Sequence, residues 1–344
     1  MMSGQFIFPG VFSPPTYGHF AIVKEASRIL PKVTIICSTN KKKDRTRWFS
    51  EEKCANMWQY YDLPRNVEVV TFAQAHGRFD FLDVVMIRGI RCEDDMEHER
   101  HVMKINKEQF GIDKIFYIWA KEDFVTVSAT KARRAIDNLD FQTLASYVAP
   151  GVVSILIERE LDVRNIFMVV GRPGCGKSTF LKMVSDANSQ NIWIDTDKCS
   201  KEFRPILHSA FGKNADLVKL VSENDAEVSR VIAKEWFNSL RKRLRQVPRN
   251  SNIFLEVPYG LRLGKDMYKY LGNKIIYVNC DDDTSHKRLD NRGTSKHKVL
   301  TNVIPDLQES RDICKRENLD LRVIDTNCSI DELYERVVDF YKHL

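Results

Sequence analysis

The stretch Ile166-Phe167-Met168-Val169-Val170-Gly171-Arg172-Pro173-Gly174-Cys175-Gly176-Lys177-Ser178-Thr179-Phe180-Leu181 decides how the second half of the chain is read. Five consecutive apolar residues predict a buried strand, the glycine-rich octet a tight loop, and the run from Thr179 a helix. Residues 171–178 match G-x-x-x-x-G-K-[ST] in the strand–loop–helix setting that gives the pattern its meaning. Glycines let successive backbone N–H groups wrap phosphate oxygens, the Lys177 ammonium reaches the β and γ oxygens, and the Ser178 hydroxyl suits Mg2+. Gly171, Arg172, Pro173, Gly174, Cys175, Gly176, Lys177, Ser178 and Thr179 are therefore the expected nucleotide contacts, with ATP as co-substrate.

Working outward, β-rich apolar segments alternate with helical periodicity along the whole chain, the signature of α/β folds with parallel sheets. Expected strands of the first half are 5–8, 33–37, 67–72, 84–88 and 114–119, with helices near 19–30, 50–61, 94–107 and 128–136. The second half repeats the rhythm with strands 166–170, 191–194, 253–257, 274–279 and 321–325. The reading is two doubly wound parallel-sheet domains, 1–161 and 162–344, joined where a helix-like segment, 151–161, ends in charge without a Gly/Ser/Pro linker. A length of 344 residues suits two domains.

Composition narrows the class. Hydrophobic residues make up 43% and charged residues 29%, which excludes disordered and fibrous chains, and no run is long and apolar enough to span a bilayer. Eight scattered cysteines without a C-x-x-C pair predict free thiols in a cytoplasmic protein, and His98-x-x-His101 has no evident third metal ligand. Residues 1–160 carry 22 Lys and Arg against 21 Asp and Glu, and residues 161–344 carry 31 against 26. That excess suits anionic small molecules and does not require nucleic acid. The basic run 241–245 reads as a solvated helix face, with oligonucleotide phosphorylation as the weaker alternative.

After the predicted strand 191–194 stand Asp195 and Asp197, at the carboxyl end where ligands gather in such sheets. Either carboxylate could accept a proton from an attacking hydroxyl, and Asp197 with Ser178 could hold Mg2+; both aspartates could instead cap the next helix. Arg288-x-x-x-Arg292 follows strand 274–279, so its guanidinium groups could neutralise a transferred phosphoryl or simply face solvent. The order of these parts, with Val257-Pro258 and Val323-Ile324-Asp325-Thr326-Asn327, resembles dephospho-coenzyme A kinase over about residues 164–340. Residues 198–250 match that family poorly.

In the first half, Phe12-Ser13-Pro14-Pro15-Thr16-Tyr17-Gly18-His19 joins a strand to a helix, a junction where a helix N-terminus and an imidazole meet anionic oxygens. Val127-Ser128-Ala129-Thr130-Lys131-Ala132-Arg133 forms a second helix start with hydroxyls and a basic residue. Together the two motifs resemble the nucleotidyltransferase superfamily, whose domains are Rossmann-like. Within it, Ile87-Arg88-Gly89-Ile90-Arg91, Asp95-Met96-Glu97-His98-Glu99 and Asn106 are similar to a segment of bacterial phosphopantetheine adenylyltransferase, as are Asn40-Lys41-Lys42 and Phe49-Ser50-Glu51-Glu52. The similarity runs from about 6 to 161.

The resemblance implies that His19 and Lys41 (or Lys42) stabilise the transition state, and that Arg88 anchors the incoming phosphate. It implies that Arg91, Glu99 and the Ser128–Thr130 turn hold ATP, with Phe12, Ser13, Thr16, Gly18, Gly89, Ala129 and Arg133 lining the same site. Where the family has P-G-(T/S)-F-D-P, this chain has Val11 and Ser13, which remove a hydroxyl and a carboxylate. The combined expectation is a bifunctional enzyme that adenylylates 4′-phosphopantetheine and then phosphorylates dephospho-CoA. The rival with the same order of parts is a nicotinamide mononucleotide adenylyltransferase joined to a ribosylnicotinamide kinase; a nucleotide sensor without turnover is a third. No membrane or nucleic-acid partner is expected, and self-association is left open.

Overall fold

A computed structural model describes residues 5–39, 48–79, 83–196, 205, 209, 212, 238–257, 271–294 and 304–342. The chain divides into two compact units, Met1–Val152 and Val153–Leu344. In the first unit, β1 (Gln5–Gly10), β2 (Val33–Cys37), β3 (Val67–Thr71), β4 (Val84–Ile90) and β5 (Lys114–Trp119) form a parallel sheet in the order β3-β2-β1-β4-β5. Parallel neighbours need crossovers, and the chain supplies α1 (Tyr17–Ile29), α2 (Glu51–Met57), α3 (Phe72–His76) and α4 (Glu93–Phe110) between successive strands. β2 is buried at all five positions, as a strand covered on both faces must be. After β5 come α5 (Ala129–Asp137), α6 (Phe141–Tyr147) and α7 (Pro150–Leu161).

The elements start where their caps dictate. The strand expected over 67–72 stops at Thr71, because the Thr71 hydroxyl accepts from the Gln74 N–H while Gln74 Oε1 accepts from the Thr71 N–H. That reciprocal cap turns Phe72 into the first residue of α3. The helix expected over 50–61 splits into α2 and a 3-10 turn, Trp58–Tyr60, whose Trp58 is fully buried.

The second unit repeats the architecture with a different strand order. β6 (Asn165–Val170), β7 (Asn191–Asp195), β8 (Asn252–Glu256), β9 (Lys274–Asn279) and β10 (Asp320–Asp325) are parallel in the order β10-β9-β6-β8-β7. Its other described helices include α8 (Lys177–Ala187), α9 (Asp282–Asn291), α10 (Leu307–Arg316) and α11 (Ile330–Lys342). Phe167, Phe180, Phe254, Val278, Leu333, Val337 and Phe340 make one apolar core from the sheet, α8 and α11.

At the amino-terminal edge of this sheet a chain of asparagines fixes the register. Asn165 donates to Asn252 Oδ1 at 2.9 Å, and Asn252 donates to Asn191 Oδ1 at 3.1 Å, so three strands start level. Asn191 and Asn252 are buried, and leaving such amides unpaired costs about 1–3 kcal/mol each. The same register sets Val169, Glu256 and Asp195 side by side at the opposite edge. In both sheets the first strand lies between two neighbours whose connections run in opposite directions, the place where a crevice opens beyond the carboxyl ends.

Candidate functional sites

In the first unit the loop after β1 is built around His19. Thr16 caps α1: its hydroxyl accepts from the His19 N–H at 3.4 Å, and its own N–H donates to His19 Nδ1 at 3.1 Å. An Nδ1 that accepts leaves the proton of the neutral ring on Nε2. Burial lowers the His19 pKa to about 4, with the Arg91 and Arg88 charges adding to the effect. Near neutral pH the ring is therefore an uncharged donor, able to bond a developing oxyanion through Nε2–H.

Phe12 supports this ring from below. It is buried at a left-handed backbone position, φ 45°, and its ring meets His19 edge-on at 5.1 Å and Trp58 at 5.2 Å. Gly18 lies where a Cβ would stand 3.2 Å from the Val127 carbonyl oxygen, so α1 and the approach to α5 meet closely. Ser13 is buried; its hydroxyl accepts from the Trp48 N–H at 3.0 Å and its carbonyl accepts from Arg133 at 2.6 Å. Arg133 also donates to Thr130 at 3.1 Å, and Ser128 caps α5 by accepting from the Lys131 N–H at 3.2 Å. Thus the β1 loop and the Ser128–Arg133 segment, over a hundred residues apart, form one corner. Arg133 tethers backbone here, a role its spacing did not suggest.

The carboxyl end of β4 supplies the cations. Arg88 donates through Nε and one terminal nitrogen to the two oxygens of Glu99, at 2.6 and 2.5 Å. Arg91 forms a looser fork with Asp95, 3.1 Å for each side-chain bond, and its backbone N–H donates to the same carboxylate at 2.9 Å. Burial pushes the Asp95 carboxyl up, but the bonds from Arg91 outweigh it and hold the group below its usual range. Gly89 sits between the two arginines, where a Cβ would lie 2.9 Å from Ile22 Cγ1, so α1 packs directly on β4. His19, Arg88, Gly89 and Arg91 thus share one edge of the sheet.

In the second unit the octet 171–178 is a loop between β6 and α8. Gly171, Gly174 and Gly176 have φ of 150°, 79° and 93°, conformations that L side chains rarely adopt. A Cβ at Gly171 would press on the Val278 carbonyl and one at Gly174 on the Ser285 carbonyl. Lys177 donates to the Gly171 and Arg172 carbonyls at 2.9 and 3.2 Å, so its ammonium lies across the loop. Arg172 pairs with Asp282 at 2.7 Å, and Cys175 is buried, its thiol pushed up chiefly by burial and so kept protonated. Pro173 and Thr179 are half-buried and Ser178 stands in the first turn of α8.

Arg288 reaches back to this loop, donating to the Gly174 carbonyl at 3.4 Å, the Thr326 hydroxyl at 3.3 Å and the Thr326 carbonyl at 3.1 Å. Thr326, 2% exposed, donates onward to the Cys175 carbonyl at 2.6 Å. Arg292 closes α9 as its C-cap and is exposed. Asp195 ends β7 at the edge of the sheet, separated from β6 by β8. The carboxylate on the strand adjoining β6 is instead Glu256, buried at 8% exposure and in register with Val169. The sequence does not point to Glu256, and it names Thr326 only within a motif without its partners, because strand order is not written in local pattern. Ser178, Asp195 and Glu256 are hard oxygen donors of the kind that suits Mg2+.

Lys41, Lys42 and Asp197 lie outside the described residues, as do Pro258, Cys199 and residues 295–303. The His98 side chain lies outside them too, and no group of three or more His, Cys, Asp or Glu that could hold a metal ion occurs among the described residues. Seven cysteines among the described residues are free, and no described helix is long and apolar enough to cross a membrane.

Comparison with known proteins places the first unit. Residues 7–135 match the model of the cytidylyltransferase-like family. The phosphopantetheine adenylyltransferase of Aquifex aeolicus is 31% identical over 138 residues, which cover 38% of this chain and 82% of that protein. The enzyme of the same name from Phocaeicola vulgatus is 31% identical over 139 residues, covering 38% of this chain and 86% of the relative. That of Leuconostoc citreum is 31% identical over 159 residues, covering 44% and 96%.

Proposed function

The chain belongs, through its first unit, to the phosphopantetheine adenylyltransferase family, and from that premise we propose that it carries out two consecutive steps of coenzyme A synthesis. In the first, the phosphate of 4′-phosphopantetheine attacks the α-phosphorus of ATP. A new P–O bond forms, the bond to the bridging oxygen breaks, and pyrophosphate leaves with dephospho-CoA as the product. The nucleophile is already anionic, so the work lies in alignment and in neutralising charge. His19 donates Nε2–H to the α-phosphate oxygens, Arg88 receives the acceptor's phosphate, and Arg91 with the Ser128–Thr130 corner holds the nucleotide. The observation that carries this reading is the gathering of a neutral His19 with Arg88 and Arg91 at the carboxyl edge of β1 and β4.

In the second unit the reading is transfer of the ATP γ-phosphoryl to the ribose 3′-hydroxyl of dephospho-CoA. It is supported by the octet 171–178 between β6 and α8 and by carboxylates at the same edge. Lys177 would neutralise the transferred group, and Asp195 or Asp197 would take the hydroxyl proton, with Glu256 as a further acceptor on the adjoining strand. Mg2+, held by Ser178 and these carboxylates, would supply charge neutralisation on the phosphates. The proposed domain limits remain 1–161 and 162–344. The test is pyrophosphate release from ATP with 4′-phosphopantetheine, and separately ATP consumption with dephospho-CoA. Turnover is expected in both, and a chain inert in either loses that half of the reading.

A further inference from the structure

His19 is held from behind by a residue of another part of the chain: we propose that Tyr61 is a positioning residue for adenylylation, its hydroxyl fixing the orientation and tautomer of the His19 ring through a single peptide unit. The Tyr61 hydroxyl donates to the Pro15 carbonyl at 2.9 Å, and the N–H of that same peptide unit, carried by Thr16, donates to His19 Nδ1 at 3.1 Å. A peptide unit is planar, so its oxygen cannot be held without its N–H being aimed. Linked hydrogen bonds also polarise one another, so a carbonyl that accepts makes the N–H on its far side a stronger donor. The order O–H to O=C–N–H to Nδ1 leaves the ring proton on Nε2, the nitrogen that serves the α-phosphate oxygens in the proposed reaction.

Tyr61 is itself well anchored. It is 5% exposed, its N–H donates to the Trp58 carbonyl at 3.1 Å, and its carbonyl accepts from the Leu63 N–H at 2.8 Å. Its hydroxyl also accepts from the Ala149 N–H at 3.4 Å, just ahead of α7. Burial pushes the phenol well above its usual range, so the hydroxyl keeps its proton and remains a donor. Pro15 and Thr16 are buried as well, which shields the carbonyl between them from competing water. Rings join the same two ends: Tyr61 meets Trp58 at 5.4 Å, Trp58 meets Phe12 at 5.2 Å, and Phe12 meets His19 at 5.1 Å. The ring path supports His19 by packing and the hydroxyl path by direction; Tyr61→Phe removes only the second.

This assignment rests on the reading that the first unit adenylylates a phosphorylated acceptor, and a measurement on the ring itself keeps the two apart. Steady-state pyrophosphate release from ATP and 4′-phosphopantetheine is measured for the wild-type chain, Tyr61→Phe, His19→Ala and the double variant. Ring-nitrogen NMR spectra are recorded for the same chains labelled at histidine, His19→Ala serving to assign the His19 signals. Tyr61→Phe is expected to lower kcat about 5- to 20-fold and to leave KM for either substrate within about twofold, since only the reacting step needs the aimed ring. Its His19 signals should move from the Nε2–H form toward a mixture of the two neutral tautomers. In the His19→Ala background the same change should cost less than about twofold further, because it acts through the ring. An unchanged kcat, fully additive losses, or a lowered kcat with the His19 signals unmoved would overturn the proposal. If Tyr61→Phe does not fold by circular dichroism, Tyr61→Met decides by the same readouts. A wild-type chain that releases no pyrophosphate overturns the functional reading, and the His19 signals then still decide whether Tyr61 aims the ring.

Discussion

The two loops that follow the first strand of each sheet are built by opposite means, and under the proposed function each would receive phosphate. The loop 171–178 is a backbone device: three glycines at positive φ pack closely, two of them against the Val278 and Ser285 carbonyls, and the N–H groups of the turn would do the binding. The loop 9–19 is a side-chain device, in which Thr16 orients His19, Phe12 supports the ring, and Arg133 ties the Ser13 carbonyl from the far end of the unit. Backbone sites tolerate little change of shape, whereas side-chain sites depend on protonation and on distant residues. The two units should therefore fail separately and for different reasons.

The largest expected failure is Lys177→Ala, which should lower CoA formation about 10²- to 10³-fold while dephospho-CoA accumulates from 4′-phosphopantetheine, read by chromatography of the products. Loss of both products in a folded variant would contradict separate sites. Next, His19→Ala should cut pyrophosphate release about 10²-fold and leave ATP consumption with dephospho-CoA unchanged. Gly174→Ala, which forces a Cβ against the Ser285 carbonyl, should weaken ATP binding to the second unit by about tenfold or more, measured calorimetrically, with adenylylation unaltered.

The smallest effect expected is one of pH. Since the His19 pKa is lowered to about 4, this ring should add no titration of its own to adenylylation between neutral pH and about pH 5, beyond that of the acceptor's phosphate at about pH 6, and should lose its Nδ1 acceptor only below about pH 5. The linked stability has the same sign: the unfolded chain binds a proton near 6.5 and the folded one only near 4, so stability declines as pH drops through that window. In His19→Gln this part of the decline should be missing from denaturant titrations at pH 7 and pH 5.

The sequence was informative where physics is local. Every strand expected from apolar runs is present, its ends within two residues of the expected ones, because a parallel strand buried on both faces leaves a continuous apolar signal. Loops carrying the motifs were equally legible, since glycine at 171, 174 and 176 and the Thr16-x-x-His19 spacing are short-range signals. What it withheld is lateral order. Whether Asp195 or Glu256 adjoins the phosphate loop depends on β8 lying between β6 and β7, and Thr326 bonds to Cys175 across 151 positions. Likewise the partner of Arg88 is set by how α4 lies on β4 and β5, so Glu99 could be named from its motif but not given its neighbour.

One incubation addresses the central claim of two consecutive reactions. Wild-type chain is given Mg-ATP with equal amounts of 4′-phosphopantetheine and nicotinamide mononucleotide, and products are followed by mass spectrometry. The account predicts dephospho-CoA appearing first and CoA at its expense, with no dinucleotide formed from nicotinamide mononucleotide. Dinucleotide without dephospho-CoA, or dephospho-CoA that never becomes CoA, would contradict it.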